Sequence, residues 1–254
     1  MARWLALLTL GFLAAVLAGC ASPTGGSSPT PTGAWSLAAL GDSVPAGVAC
    51  DCTPYPQLSA SDLSSPDGPA VKAANEAVGG FTTVDVLHQL TDASAAIDSV
   101  KAARLVEIEV GANDVAYSSS CGTEVACYLP KLTDLRTNLH DIVDRVHELT
   151  AGHAVNVVLL DYWSVWLGGQ YASQQGQAYV DAAATVTDEV NTVIKDIAAQ
   201  TGSAYVDLRA AFKGPDYSYD ETHYLAADGD HPNAAGHQKI AAALAEVVQR
   251  PQGT

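Results

Sequence analysis

The chain has 254 residues, 12 Lys+Arg against 28 Asp+Glu, and a formal net charge of −16. That balance, with no basic cluster anywhere, lacks the electrostatic footprint of a nucleic-acid binder and excludes such a partner. With 48% hydrophobic residues it can bury one sizeable core, and no internal repeat divides it.

The first element is a targeting segment. Arg3 gives a positive start, Trp4 to Val16 is an apolar run too short for a spanning helix with polar flanks, and Leu17-Ala18-Gly19-Cys20 follows. Small residues ending in a cysteine resemble the bacterial lipoprotein signal, which implies cleavage before Cys20 and acylation of its thiol. Residues 1–19 are then the signal peptide, and the mature charge becomes 11 − 28 = −17 once Arg3 is lost. Residues 20–35 are the acylated cysteine and a Pro/Gly/Ser/Thr tether with too little apolar surface to fold. Residues 36–250 suit a single domain. The expectation is an exported protein held on the outer face of the cell membrane, or released from it, and acting as a monomer.

Strand-like and helix-like patterns alternate through that domain. Ser36–Leu40, residues 71–78, Leu105–Val110, Ala154–Leu160 and Ala204–Leu208 read as strands. Helical patterns cover about 82–103 in two pieces, 131–150, roughly 171–201, and 233–249. Leu132, Leu135, Leu139, Ile142, Val143, Val146 and Leu149 carry the helical spacing of the second of these. The alternation predicts a five-stranded parallel sheet between helices, a three-layer α/β/α sandwich, with ligands at the carboxyl ends of the strands.

Four turns at those ends carry the chemistry. Gly41-Asp42-Ser43 follows the first strand, where a glycine turn can present a serine hydroxyl. Gly79-Gly80 follows the second, leaving backbone N–H groups free, with Asn75 just before. Gly111-Ala112-Asn113-Asp114 follows the third and can aim an amide NH₂ at a developing oxyanion. Asp228-Gly229-Asp230-His231-Pro232 precedes the last helix; a carboxylate three residues before a histidine can fold back and fix its tautomer. Asp230, adjacent to His231, is expected to face elsewhere. Each turn alone is ordinary turn or cap chemistry. Together they resemble the SGNH, or GDSL-type, hydrolases over residues 37 to about 248, with Val44 in place of the leucine of the older motif name.

The resemblance implies a flavodoxin-like SGNH fold and a serine esterase that needs no cofactor and no metal. Ser43 would be the nucleophile, His231 its base and Asp228 the carboxylate behind the histidine. Ser43, Gly80 and Asn113 would form the oxyanion hole, with Gly79 the competing glycine. Substrates would be acyl lipids or small acyl esters; an acylated carbohydrate, or a non-catalytic surface binding role, is the alternative. Tyr162, Trp163 and Trp166, after the fourth strand, are possible substrate contacts, and His223 a further one; His237, inside the last helix, should point away. Outside Cys20, four cysteines in an oxidising compartment are disulfide candidates: Cys121 with Cys127 first, leaving Cys50 with Cys52, and cross-pairing open. Cys50-Asp51-Cys52 lacks zinc-finger spacing.

Overall fold

The computed structural model describes residues 35–64 and 69–248. The signal segment, Cys20 and nearly all of the tether lie outside the described residues, as do the last residues of the domain. Among the described residues, no helix is long and apolar enough to cross a membrane.

Five strands form one parallel sheet: β1 (Trp35–Gly41), β2 (Val71–Asn75), β3 (Leu105–Glu109), β4 (Asn156–Leu160) and β5 (Ala204–Val206), in the order β2-β1-β3-β4-β5. All four pairings are parallel. The sheet order reverses direction at β1, and the carboxyl ends of β1 and β3 lie side by side, which is where such sheets hold ligands.

The helices are α1 (Ser43–Ala46), α2 (Tyr55–Leu63), α3 (Thr83–Asp92), α4 (Ser94–Ala102), α5 (Lys131–Leu149), α6 (Gly169–Gln174), α7 (Gln177–Thr201), α8 (Leu208–Lys213) and α9 (Ala234–Val247). On one face of the sheet α2 packs on α9, and α9 on α8; on the other, α5 packs between α3 and α7. The three-layer α/β/α arrangement is as the alternation implied. The seven apolar positions expected to mark α5 do so, and five of them, Leu135, Leu139, Ile142, Val143 and Val146, are its buried residues.

Four departures have physical causes. The pattern over 171–201 is two helices, broken at Gly176, whose φ of +96° a helix cannot continue. β2 stops at Asn75 because that side chain turns the chain: its Nδ2 donates to the Pro45 carbonyl (2.7 Å) and its Oδ1 accepts from the Ala77 N–H (3.2 Å). α2 carries no clear period, and only its packing on α9 and the sheet buries Tyr55, Pro56, Ser59, Ala60 and Leu63. β3 looks half-solvated in sequence, yet all five residues are buried, Glu107 and Glu109 included, because helices cover both faces of this central strand.

Candidate active site

β1 delivers the serine. Gly41 has φ +145°, and any Cβ there would collide with the Glu109 carbonyl of the neighbouring strand. The chain turns directly into α1, whose first residue is Ser43. Asp42 caps that helix: its Oδ1 accepts from the Val44 N–H (3.1 Å), and its Oδ2 from the Tyr162 hydroxyl (2.6 Å). Asp42 is fully buried, and burial pushes its carboxyl up to about 6, against the opposing pull of the Tyr162 and Val44 bonds.

β3 delivers the amide. Asn113 begins a 3₁₀ turn, and its Nδ2 donates to the carbonyl of Phe81 (3.0 Å), tying it to the glycine turn after β2. That bond uses one N–H of the amide and leaves the other for a ligand. Asp114 holds the same turn from the other side, accepting from the Thr83 N–H (3.0 Å) and hydroxyl (2.5 Å) at the start of α3. Among the described residues no acceptor takes the backbone N–H of Ser43, Gly79 or Gly80. Gly80 has φ +86° and open space where a side chain would be, whereas a Cβ on Gly79 would stand 3.9 Å from that of Ser43.

The loop before α9 delivers the histidine. Asp228 Oδ1 accepts from the backbone N–H groups of Asp230 and His231 (3.1 Å each), and Oδ2 pairs with His231 Nδ1 at 2.7 Å. Partial burial raises the Asp228 carboxyl, but these hydrogen bonds outweigh it and leave its pKa below the ordinary carboxylate value. With Nδ1 engaged, Nε2 is the free nitrogen. Asn233 caps α9 through the Ala235 and Gly236 N–H groups and anchors the loop to the Leu225 carbonyl (2.8 Å).

The three segments meet at one cavity of about 280 Å³. Ser43, Asn113 and His231 line it, together with Tyr117, Trp166 and Tyr179. Ser43 and His231 share this cavity without a direct hydrogen bond among the described residues; such bonds often tighten only on the bound substrate. Tyr162, Trp163 and Trp166 all reach the wall, but each is at most 3% exposed. Tyr162 spends its hydroxyl on Asp42, and Trp166 donates Nε1–H to the Val115 carbonyl (2.9 Å), so these two build the wall before they touch anything in it.

Two expectations change, those for Asp230 and His223. Asp230 does not face elsewhere: it lines the cavity beside His231, and desolvation there raises its carboxyl. His223 stays exposed, tilted against Tyr224, and is not part of the cavity wall. His237 points away from the cavity, as expected, but into the interior. It is fully buried, stacked on Tyr55, and Nδ1 accepts the Tyr55 N–H (3.2 Å). Finally, Cys121 bonds Cys127 and Cys50 bonds Cys52 in the structure, so the pairing expected first stands and cross-pairing does not form. Cys50, Cys52 and His237 bring their ligand atoms within 4.8 Å of one another. The disulfide uses both sulfurs and Tyr55 occupies His237 Nδ1, so the set offers a metal no thiolate.

Residues 39–239 match the model of the GDSL-like lipase/acylhydrolase family. The chain belongs to that family. A lipase of Streptomyces rimosus is 31% identical over 201 residues, covering 69% of this chain and 70% of the relative. The extracellular lipase of S. rimosus has a similar structure, with a TM-score of 0.64 at 24% identity over 85% of this chain and 100% of that one. An acetylxylan esterase of Geobacillus stearothermophilus is similar at a TM-score of 0.58 and 21% identity, over 84% of this chain and 93% of that one. The chain is a GDSL-like serine ester hydrolase. Sequence reasoning missed the inner support of this hydrolase's site. In the sequence Asp42 is only the middle residue of a motif, and Tyr117 and Tyr179 fall in segments whose pattern carries no site signal.

Proposed function

We propose that Ser43 is the nucleophile of an exported, lipid-anchored esterase that cleaves acyl lipids or small acyl esters. The observation that carries this reading is the convergence of Ser43, Asn113 and His231 on one small cavity with aromatic walls, the histidine held by Asp228. Ser43 Oγ attacks the ester carbonyl as its proton passes to His231 Nε2. Asp228, accepting from Nδ1–H, stabilises the imidazolium without taking the proton. The oxyanion is met by the N–H groups of Ser43 and Gly80 and by the Asn113 NH₂. As the C–O bond to the alcohol breaks, His231 returns the proton to the leaving oxygen; water, activated by the same nitrogen, then cleaves the acyl-serine. Cys20 carries the anchor and the tether over 20–35 spaces the domain from the membrane; an apolar run ending in Leu-Ala-Gly-Cys supports this.

The test uses the full chain. A fluorophosphonate probe labels the protein and not Ser43→Ala, whose turnover of p-nitrophenyl acetate falls by about 10⁴-fold or more. The cavity of about 280 Å³ favours p-nitrophenyl butyrate over the palmitate. Normal turnover by Ser43→Ala overturns the assignment, and radiolabelled palmitate retained by Cys20→Ala overturns the anchor.

A further inference from the structure

Asp230 is the one carboxyl of the cavity wall that neither the proposed chemistry nor the scaffold uses. Asp42, the other carboxyl there, is bonded to Val44 and Tyr162. Among the described residues the Asp230 side chain accepts from no donor and pairs with no Lys or Arg; only its backbone N–H is engaged, by Asp228 Oδ1 at 3.1 Å. No Lys or Arg lines this cavity. Partial desolvation raises the Asp230 carboxyl, against the pull of His231 and with a further push from Asp228. Its side chain is nevertheless exposed, so a ligand in the cavity can reach it. A partly desolvated carboxylate without a counter-charge is costly, and a cation brought beside it removes that penalty.

Position in the chain sets which part of a substrate Asp230 meets. In the proposed mechanism the Ser43 and Gly80 N–H groups and the Asn113 amide take the carbonyl oxygen, whereas His231 Nε2 faces the leaving oxygen. Asp230 directly precedes His231, so it stands on the side of the alcohol. Aromatic rings stand there too. Burial raises the Tyr179 phenol, and the negative charge of Asp230 adds to that rise, as it does only for a near neighbour. Tyr179 is tilted against Tyr117 and Trp166, with ring centroids 5.3 and 5.5 Å away, and Tyr117 stands edge-on to Trp166 at 5.2 Å. All three line the cavity, and Tyr117 is 46% exposed. Aromatic faces attract cations, above all quaternary ammonium groups, whose charge is spread over apolar methyls. An anionic alcohol meets the opposite conditions: no cation to receive it, and Asp230 to repel it.

We propose that Asp230 makes this site selective for esters of cationic alcohols, a quaternary ammonium group seating between its carboxylate and the rings of Tyr117 and Tyr179. This selectivity rests on Ser43 acting as an esterase nucleophile and concerns the alcohol side of its substrate.

The experiment is steady-state kinetics of the full chain on acetylcholine and on 3,3-dimethylbutyl acetate, which has the same shape without the charge. The kcat/KM for acetylcholine exceeds that for the neutral ester by about tenfold or more. Asp230→Asn brings this ratio close to one, and Asp230→Glu restores the preference. Tyr117→Ala, at an exposed position, lowers the ratio by roughly threefold. Any effect of the lost Asp230 charge on His231 falls on both esters alike, so a merely structural role lowers both rates and leaves the ratio standing. Titration calorimetry of Ser43→Ala with the same two molecules needs no turnover. Acetylcholine binds the more tightly there, and Asp230→Asn in that background removes the difference. Turnover of neither ester, with acetylcholine still preferred in calorimetry, overturns the esterase reading and leaves the ammonium site in place. A wild-type ratio of one or below, a ratio indifferent to both Asp230→Asn and Tyr117→Ala, or equal binding of the two molecules overturns the proposal.

Discussion

The two halves of the proposed catalytic site are built in opposite ways. Asp228 and His231 stand three residues apart, and one carboxylate both closes their turn and grips the imidazole at 2.7 Å. Ser43 depends on Asp42, whose second partner, Tyr162, is 120 residues away and fully buried. The histidine half is a local device that a short loop can hold by itself. The serine half exists only once β1, β3 and the segment after β4 have assembled. Local encoding makes the first half tolerant of changes elsewhere, whereas the second inherits the stability of the whole sheet.

The sharpest way to break that contrast is Asp228→Asn. The amide can keep the caps on the Asp230 and His231 N–H groups through its oxygen, but its NH₂ cannot accept from His231 Nδ1–H. We expect kcat to fall by about 10⁴-fold with little change in thermal stability. A large loss of stability instead would show that the loop is not self-contained. Next in size is Asn113→Ala, which removes the proposed oxyanion donor. Here kcat should drop by about 10²–10³-fold with KM nearly unchanged. A rise in KM alone would make Asn113 a substrate-binding group.

The same contrast explains what could be read from the sequence. The Asp-x-x-His spacing and the glycine turns after β1 and β3 are local, so their residues were visible before any fold was built. The five strands and the long helices follow from hydrophobic periodicity. What could not be read is the set of contacts that cross the sheet. Nothing near Tyr162 signals that its hydroxyl will end on Asp42. Nothing in Leu105-Val106-Glu107-Ile108-Glu109 distinguishes a solvated strand from one covered on both faces. For Asp230, adjacency to His231 in sequence predicts divergence in space, and the loop defeats that expectation. The caps on Asp228 bend the loop tightly enough to bring Asp230 to the cavity as well.

Tyr162→Phe probes the serine half directly. It deletes one hydroxyl and leaves the buried Asp42 Oδ2 without its donor, which costs about 1–3 kcal/mol of stability. The lost bond also lets the Asp42 carboxyl rise further above 6. Turnover should fall about tenfold at most, because Ser43 is loosened rather than removed. If stability and kcat both stay at wild-type values, the Asp42–Tyr162 contact is not what holds Ser43.

The smallest effect on activity, and the most pH-dependent one, belongs to Glu107. It sits in the middle of β3, fully buried, accepting from the Ser59 hydroxyl at 2.6 Å while its other oxygen has no partner among the described residues. Burial pushes its carboxyl from 4.5 up to about 8, and the Ser59 hydrogen bond, pulling the other way, does not offset it. Between those values the folded protein holds a proton that the unfolded chain has released. Unfolding therefore releases a proton, and stability falls as pH rises through the window, by up to ~1.4 kcal/mol per pH unit for one such group. Glu107→Gln keeps an oxygen for Ser59 and cannot ionise. Urea unfolding near the two ends of the window should give equal stabilities at the acid end and a more stable variant at the alkaline end, with ester turnover unchanged. Glu109, raised by the same burial, leaves the variant a residual slope of the same sign. Parallel curves for variant and wild type would mean that Glu107 is ionised in the folded protein, and that the interior of β3 stabilises a charge rather than excluding one.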